Sequence, residues 1–141
     1  MYSSFYGVCI GIDKYNTLKE VRGGENAAKN FASLLGNLGF NVTELYGSQA
    51  ITMNIGKSLA EVRQKLEKLG NSNSLLVVYF SGHVYAKDDS IQLCPYNFDE
   101  YNVVETGQNL LNLKNRIMTT FPCKHVLFIF DCKFQTNIFD E

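Results

Sequence analysis

Residues 74–80, Ser-Leu-Leu-Val-Val-Tyr-Phe, hold six apolar side chains in an unbroken row after one serine. A strand facing water on one side alternates apolar with polar residues, whereas a run with no polar position has both faces buried. The segment is therefore expected at the centre of a parallel sheet covered by helices on both faces. The rest of the chain supplies the partners. FYGVCIGI (5–12) is a second continuous apolar run, broken by Gly7 and Gly11, and HVLFIFD (125–131) is a third. FNVTELY (40–46) alternates and is rich in strand formers.

Between these runs the period changes to that of a helix. Ala27, Ala28, Phe31, Leu34, Leu35 and Leu38 recur at three- and four-residue steps and stop near Gly39. Ile55, Leu59, Val62, Leu66 and Leu69 do the same after Thr52, a candidate N-cap. A third helix is expected over about 105–120, with Leu110, Leu113, Ile117 and Phe121 inward. Residues 84–95 read as a small hairpin turning at Lys87-Asp88-Asp89-Ser90. The alternation predicts one α/β domain over residues 1–141: four main parallel strands in the order second, first, third, fourth, a small hairpin, and right-handed crossovers. No linker, repeat or low-complexity segment divides it.

Composition narrows the class of partner. With 13 basic and 14 acidic residues the net charge is −1, and no Lys/Arg cluster marks a nucleic-acid surface. The apolar runs are too short to cross a bilayer, and MYSSFYGV lacks the basic region and long apolar core expected of a signal peptide. Cys9, Cys94, Cys123 and Cys132 are widely spaced, which suits reduced thiols and a cytoplasmic setting. The sequon at Asn41-Val42-Thr43 would then be silent. Neither CxxC nor HxxH occurs, and Asp88, Asp89, Asp99 and Glu100 lack the spacing of an EF-hand loop, so no metal or other cofactor is expected.

In such a sheet, functional groups gather beyond the carboxyl ends of the strands. Those ends supply Asp13, Ser81-Gly82-His83 and Asp131-Cys132-Lys133. If the third and fourth strands are neighbours, about 4.8 Å apart, a His and a Cys at their tips can approach as base and thiol nucleophile. The plain alternative is a loop histidine and a small buried cysteine.

Three segments carry a resemblance. YFSGHVYAKDDSIQLCP resembles the histidine segment of the caspase and metacaspase peptidases, which usually reads YFSGHG before a short hairpin. LFIFDCKFQT is similar to their nucleophile segment, Asp-Cys-Cys-Phe-Ser-Gly or Asp-Ser-Cys-His-Ser-Gly after a strand. GVCIGIDKYNTLKEVRGGENAAKNFASLLGNLGFNV resembles their first strand, turn and helix, with Asn26-Ala27-Ala28 where many members have Asn-Asp-Ala. The likeness spans nearly the whole chain, in order.

The resemblance implies a caspase-like large-subunit domain with His83 as catalytic base, and it counts against catalysis. Aligning Asp131 and Phe134 on Asp-Cys-Cys-Phe sets Lys133, not Cys132, at the nucleophile position. An ammonium has no nucleophilic lone pair at neutral pH. Cys132, one residue earlier, is expected to point to the opposite face from a side chain at 133. Val84 stands where the family has the glycine whose N–H holds the oxyanion, and a valine would be strained there if φ were positive. Gln135-Thr136 replaces Ser-Gly. Asp131 matches the metacaspase residue that holds a basic substrate side chain; locally it reads as a strand-end acceptor. Arg22 lies near the caspase arginine for acidic substrates but reads as a surface residue, and His125 as the start of a strand.

Nine residues follow Cys132, whereas active relatives continue into a small subunit. The expectation is therefore a catalytically silent domain that binds another polypeptide over 125–131: a second copy, a small-subunit-like chain or a larger assembly. The alternatives are a cysteine endopeptidase large subunit using His83 and Cys132, completed by a small subunit, and an unrelated doubly wound signalling domain with Asp13 and Lys133 as acid and base.

Overall fold

The computed structural model describes residues 1–70 and 73–132. Four strands, β1 (Ser4–Gly11), β2 (Asn41–Tyr46), β3 (Ser74–Ser81) and β7 (His125–Phe130), form one parallel sheet in the order β2-β1-β3-β7. This is the expected order. β3 pairs with β1 from Ser4↔Ser74 to Gly11↔Ser81 and with β7 from Leu75↔His125 to Phe80↔Phe130. Flanked on both edges and covered on both faces, its residues 76–81 are all buried, which is why the sequence tolerates no polar side chain from Leu75 to Phe80.

The two faces are covered differently. Helix α1 (Gly24–Asn37) lies over Cys9, Val77 and Tyr79, while α2 (Thr52–Leu69) and α4 (Leu110–Thr120) pack on Val8, Ile10, Ile12, Leu76, Val78 and Phe80. The glycines in β1 set the spacing on the α1 side. A Cβ at Gly11 would stand 2.7 Å from Ala28 Cβ and 2.8 Å from the Gly24 carbonyl oxygen, and one at Gly7 would stand 2.9 Å from Leu35. Bare backbone under small helix residues lets α1 seat close to the sheet.

That close seat rotates α1 away from the face read in the sequence. The buried row is Gly24, Ala28, Ala32 and Leu35, while Leu34 and Leu38 are 52% and 64% exposed. Over Gly11 only the small Gly24 and Ala28 fit, and the one large residue of the row, Leu35, sits over Gly7. Ala27, Phe31 and Leu34 instead line an open groove with Tyr79, Ile129 and Phe130.

Two further expectations are corrected. Thr52 is the first residue of α2 rather than its cap; its N–H donates to Asn97 Oδ1 at 3.0 Å, so a residue distant in sequence satisfies the helix end. Its hydroxyl donates to the Thr106 carbonyl at 2.9 Å. The helix expected over 105–120 begins at Leu110: Val103–Thr106 is a separate turn, α3, ended by the extended Gly107. Gln108–Asn109 then forms a short strand, β6, and Asn109 Oδ1 caps α4 by accepting from Asn112 N.

The hairpin is as expected. β4 (Val84–Lys87) and β5 (Ser90–Leu93) pair antiparallel through Asp88 and Asp89, at φ 51° and 64°. Successive left-handed residues are what a two-residue turn matching strand twist requires. β6 extends the hairpin to three strands in the order β4-β5-β6. Among the described residues, no helix is long and apolar enough to cross a membrane.

Candidate functional site

β3 and β7 end side by side, and the Asp131 N–H donates to the Phe80 carbonyl at 2.9 Å. The Ser81-Gly82-His83 tip and the Asp131-Cys132 tip therefore meet at one corner of the sheet, as parallel pairing requires.

His83 is 1% exposed, held between β3 and β4. Its carbonyl accepts from Cys94 N at 3.0 Å and its N–H donates to the Tyr15 hydroxyl at 2.8 Å. The Tyr15 hydroxyl in turn donates to the Cys94 carbonyl at 3.0 Å, and its ring centroid lies 5.0 Å from that of His83. Nε2 of His83 is 2.6 Å from the Lys19 carbonyl oxygen. A carbonyl can only accept, so Nε2 carries the proton and, in the neutral ring, Nδ1 is left with its lone pair. Burial pushes the pKa of His83 below 6.5, and the Lys19 carbonyl opposes this in part. At neutral pH the ring is thus a neutral, oriented base with no partner on Nδ1 among the described residues.

The two residues at the β7 tip go to opposite faces. Asp131 Oδ2 accepts from the Tyr79 hydroxyl at 3.1 Å on the α1 side, and desolvation followed by this carboxylate raises Tyr79 to about 12. Cys132 follows Val126 and Phe128 to the other face and packs on the core beneath α2 and α4. Burial drives its thiol up to about 11, the Gly82 N–H opposes the rise, and the Asp131 charge adds to it. Among the described residues no hydrogen bond joins the Cys132 sulfur to the His83 ring. At pH 7 the thiol form therefore predominates strongly over the thiolate.

The other candidates are occupied elsewhere. Asp13 Oδ1 accepts from Glu25 N at 2.9 Å at the start of α1, and Glu25 Oε2 accepts from Asp13 N at 3.2 Å. This reciprocal pair works like a capping box whose residues come from different elements. Arg22 is exposed. Asp99 accepts from Tyr101 N, and His125 Nδ1 pairs with the Tyr2 hydroxyl at 2.7 Å. Val84 does not have positive φ, so the strain that a left-handed backbone would impose on a valine is absent. Lys133, Gln135 and Thr136 lie outside the described residues. Among the described residues no group of three or more His, Cys, Asp or Glu side chains is placed to hold a metal ion.

Tyr15 and the Lys19 carbonyl were not singled out from the sequence. They act through backbone groups and a long-range contact, for which spacing carries no signal.

The sequence model described as "Caspase domain" matches residues 6–140. The chain belongs to the caspase-domain family. Solved structures share its fold. The Drosophila initiator caspase Dronc matches with a TM-score of 0.70 at 16% identity, over 92% of this chain and 50% of that one. A Geobacter sulfurreducens protein matches with a TM-score of 0.69 at 15% identity, over the same shares. The caspase domain here thus spans about half the length of each. No curated protein matches the chain in sequence. The family match overturns the doubly wound signalling alternative, whose supposed acid, Asp13, is engaged with α1.

Proposed function

We propose that this caspase domain is catalytically silent and serves as a binding or structural component of a cytoplasmic complex. The observation carrying this reading is the state of Cys132: a partly buried thiol packed on the core, raised to about 11, without a hydrogen bond to the His83 ring among the described residues. Caspase-type hydrolysis needs a thiolate attacking the substrate carbonyl and an imidazole returning the proton to the leaving amine. Cys132 faces the core from one side of the β7 tip, and the next residue, where the family resemblance sets the nucleophile, is Lys133. Asp131, the candidate substrate-binding residue, spends its carboxylate on Tyr79.

A second reading is favoured by His83. Its ring is buried, neutral and fixed in the tautomer a general base requires. That geometry suits a cysteine endopeptidase large subunit in which Cys132 turns toward His83 once a small subunit docks.

The partner belongs on β7. Among the described residues β7 is an edge strand, and its sequence is apolar throughout after His125, with Leu127 50% exposed and Phe130 37% exposed. No proline or charge interrupts it to deter pairing. Strand addition from a second copy, a small-subunit-like chain or a larger assembly would supply the missing main-chain hydrogen bonds.

One assay tests the reading. The protein is incubated with Arg-, Lys- and Asp-containing reporter peptides, with and without calcium. No turnover is expected, and Lys133→Cys alone restores little. Turnover abolished by Cys132→Ala would transfer the case to the peptidase reading.

A further inference from the structure

A cleft of about 300 Å³ lies away from the sheet corner, between β6 and α4. Its floor is Leu113 and its walls carry Gln92, Gln108, Asn109, Asn112 and Arg116, with no carboxylate among the lining residues. Arg116 is exposed and its guanidinium has no ion-pair partner among the described residues. The side chains of Gln108 and Asn112 likewise have no hydrogen-bond partner among the described residues.

Gln92 is the more telling member. It is only 7% exposed, and its nitrogen makes a single long bond, 3.3 Å, to Ser90 Oγ. Its oxygen accepts no hydrogen bond among the described residues, and among these no fully buried side-chain oxygen or nitrogen lacks a partner, so the oxygen meets the cleft. Whichever way the amide is turned, one polar end is left for a ligand. Gly107 packs directly against this amide: a Cβ there would stand 2.7 Å from Gln92 Oε1 and 2.8 Å from the Val103 carbonyl oxygen. An alanine would push the Gln92 amide out of its position.

We propose that this cleft binds a carboxylate-bearing amide of amino-acid size, an acidic residue within a peptide or a free N-acyl amino acid. Arg116 takes the carboxylate in a two-pronged pair. The carboxamides, each offering a donor and an acceptor, take the ligand's own amide N–H and C=O. The volume is at the lower end of small-ligand sites, enough for one or two residues. This site is independent of whether the sheet corner is catalytic.

The test is amide and guanidinium NMR on the full chain with three probes: Ac-Gly-Glu-Gly-NH2, Ac-Gly-Gln-Gly-NH2 and N-acetylglutamate. The Glu peptide should shift the side-chain signals of Gln92, Gln108, Asn112 and Arg116 and bind at least tenfold tighter than the Gln peptide. Equal shifts from N-acetylglutamate identify a free acyl amino acid as sufficient; shifts only from the peptide identify a peptide segment. Arg116→Gln, on an exposed position, should weaken the Glu peptide tenfold or more with unchanged thermal unfolding, and Gly107→Ala should abolish binding. If Gly107→Ala fails to fold, Arg116→Gln still decides. Equal affinity for Glu and Gln peptides, no effect of Arg116→Gln, or no shift at millimolar probe would overturn the assignment.

Discussion

The Tyr15 hydroxyl is the pin of the His83 tip, and removing it should be expensive in a calculable way. In Tyr15→Phe the His83 N–H and the Cys94 carbonyl both lose their bond to that oxygen. Buried backbone groups left unpaired cost about 1–3 kcal/mol each, so a loss of about 3 kcal/mol is expected. Gly82→Ala attacks the same pin from the other side. Gly82 is not in the left-handed region, so the effect is steric: its Cβ would overlap the Tyr15 hydroxyl and touch the Phe80 ring at 3.1 and 3.3 Å. Overpacking of that kind costs about 1–3 kcal/mol, and the displaced hydroxyl forfeits its bonds as well. When Tyr15→Phe is already present, the overlap is relieved and those bonds are already gone. The double variant should therefore fall short of the summed single losses by about 2 kcal/mol, within the range of contacting residues. Urea unfolding followed by circular dichroism gives all three values, and the His83 ring shifts report whether its orientation is lost. Additivity within about 0.5 kcal/mol would refute the shared pin.

Two other predictions concern the sheet and pH. Gly11→Ala should destabilise by about 3 kcal/mol because its methyl meets the Gly24 carbonyl and Ala28, whereas Gly56→Ala, inside α2 with open space around it, should stabilise by about 1 kcal/mol; thermal unfolding reads both. Burial lowers the pKa of His83 in the folded state, so below pH 6.5 the unfolded chain binds the proton more readily and stability falls as pH falls. Between pH 7 and 5.5 the urea midpoint should drop in the parent, and this drop should be smaller in His83→Gln.

Much of the fold was legible because parallel sheets write themselves into apolar runs: Leu75–Phe80 had to be central, and the strand order followed. The helix faces were less legible. Leu34 and Leu38 looked like core because hydrophobicity was counted, but Gly11 admits only Gly24 and Ala28 and Gly7 receives Leu35, which turns Leu34 and Leu38 outward. Asn97 capping α2 and Asp13 serving α1 are contacts between elements, and no local spacing encodes them. At the site, the meeting of the His83 and Cys132 tips was readable from the strand order, and the opposed directions of Asp131 and Cys132 from the strand period. The tautomer of His83 was not readable, since it depends on the Lys19 backbone.

The most direct measurement of whether Cys132 can serve as a nucleophile is its alkylation at neutral pH by a peptidyl chloromethyl ketone, mapped by mass spectrometry. A thiol near 11 should react about two orders of magnitude more slowly than an ordinary one of about 8.5, with the rate still climbing between pH 8 and 10. Rapid, stoichiometric labelling of Cys132 at pH 7 that is lost in His83→Gln would contradict the silent site and show a working His–Cys pair.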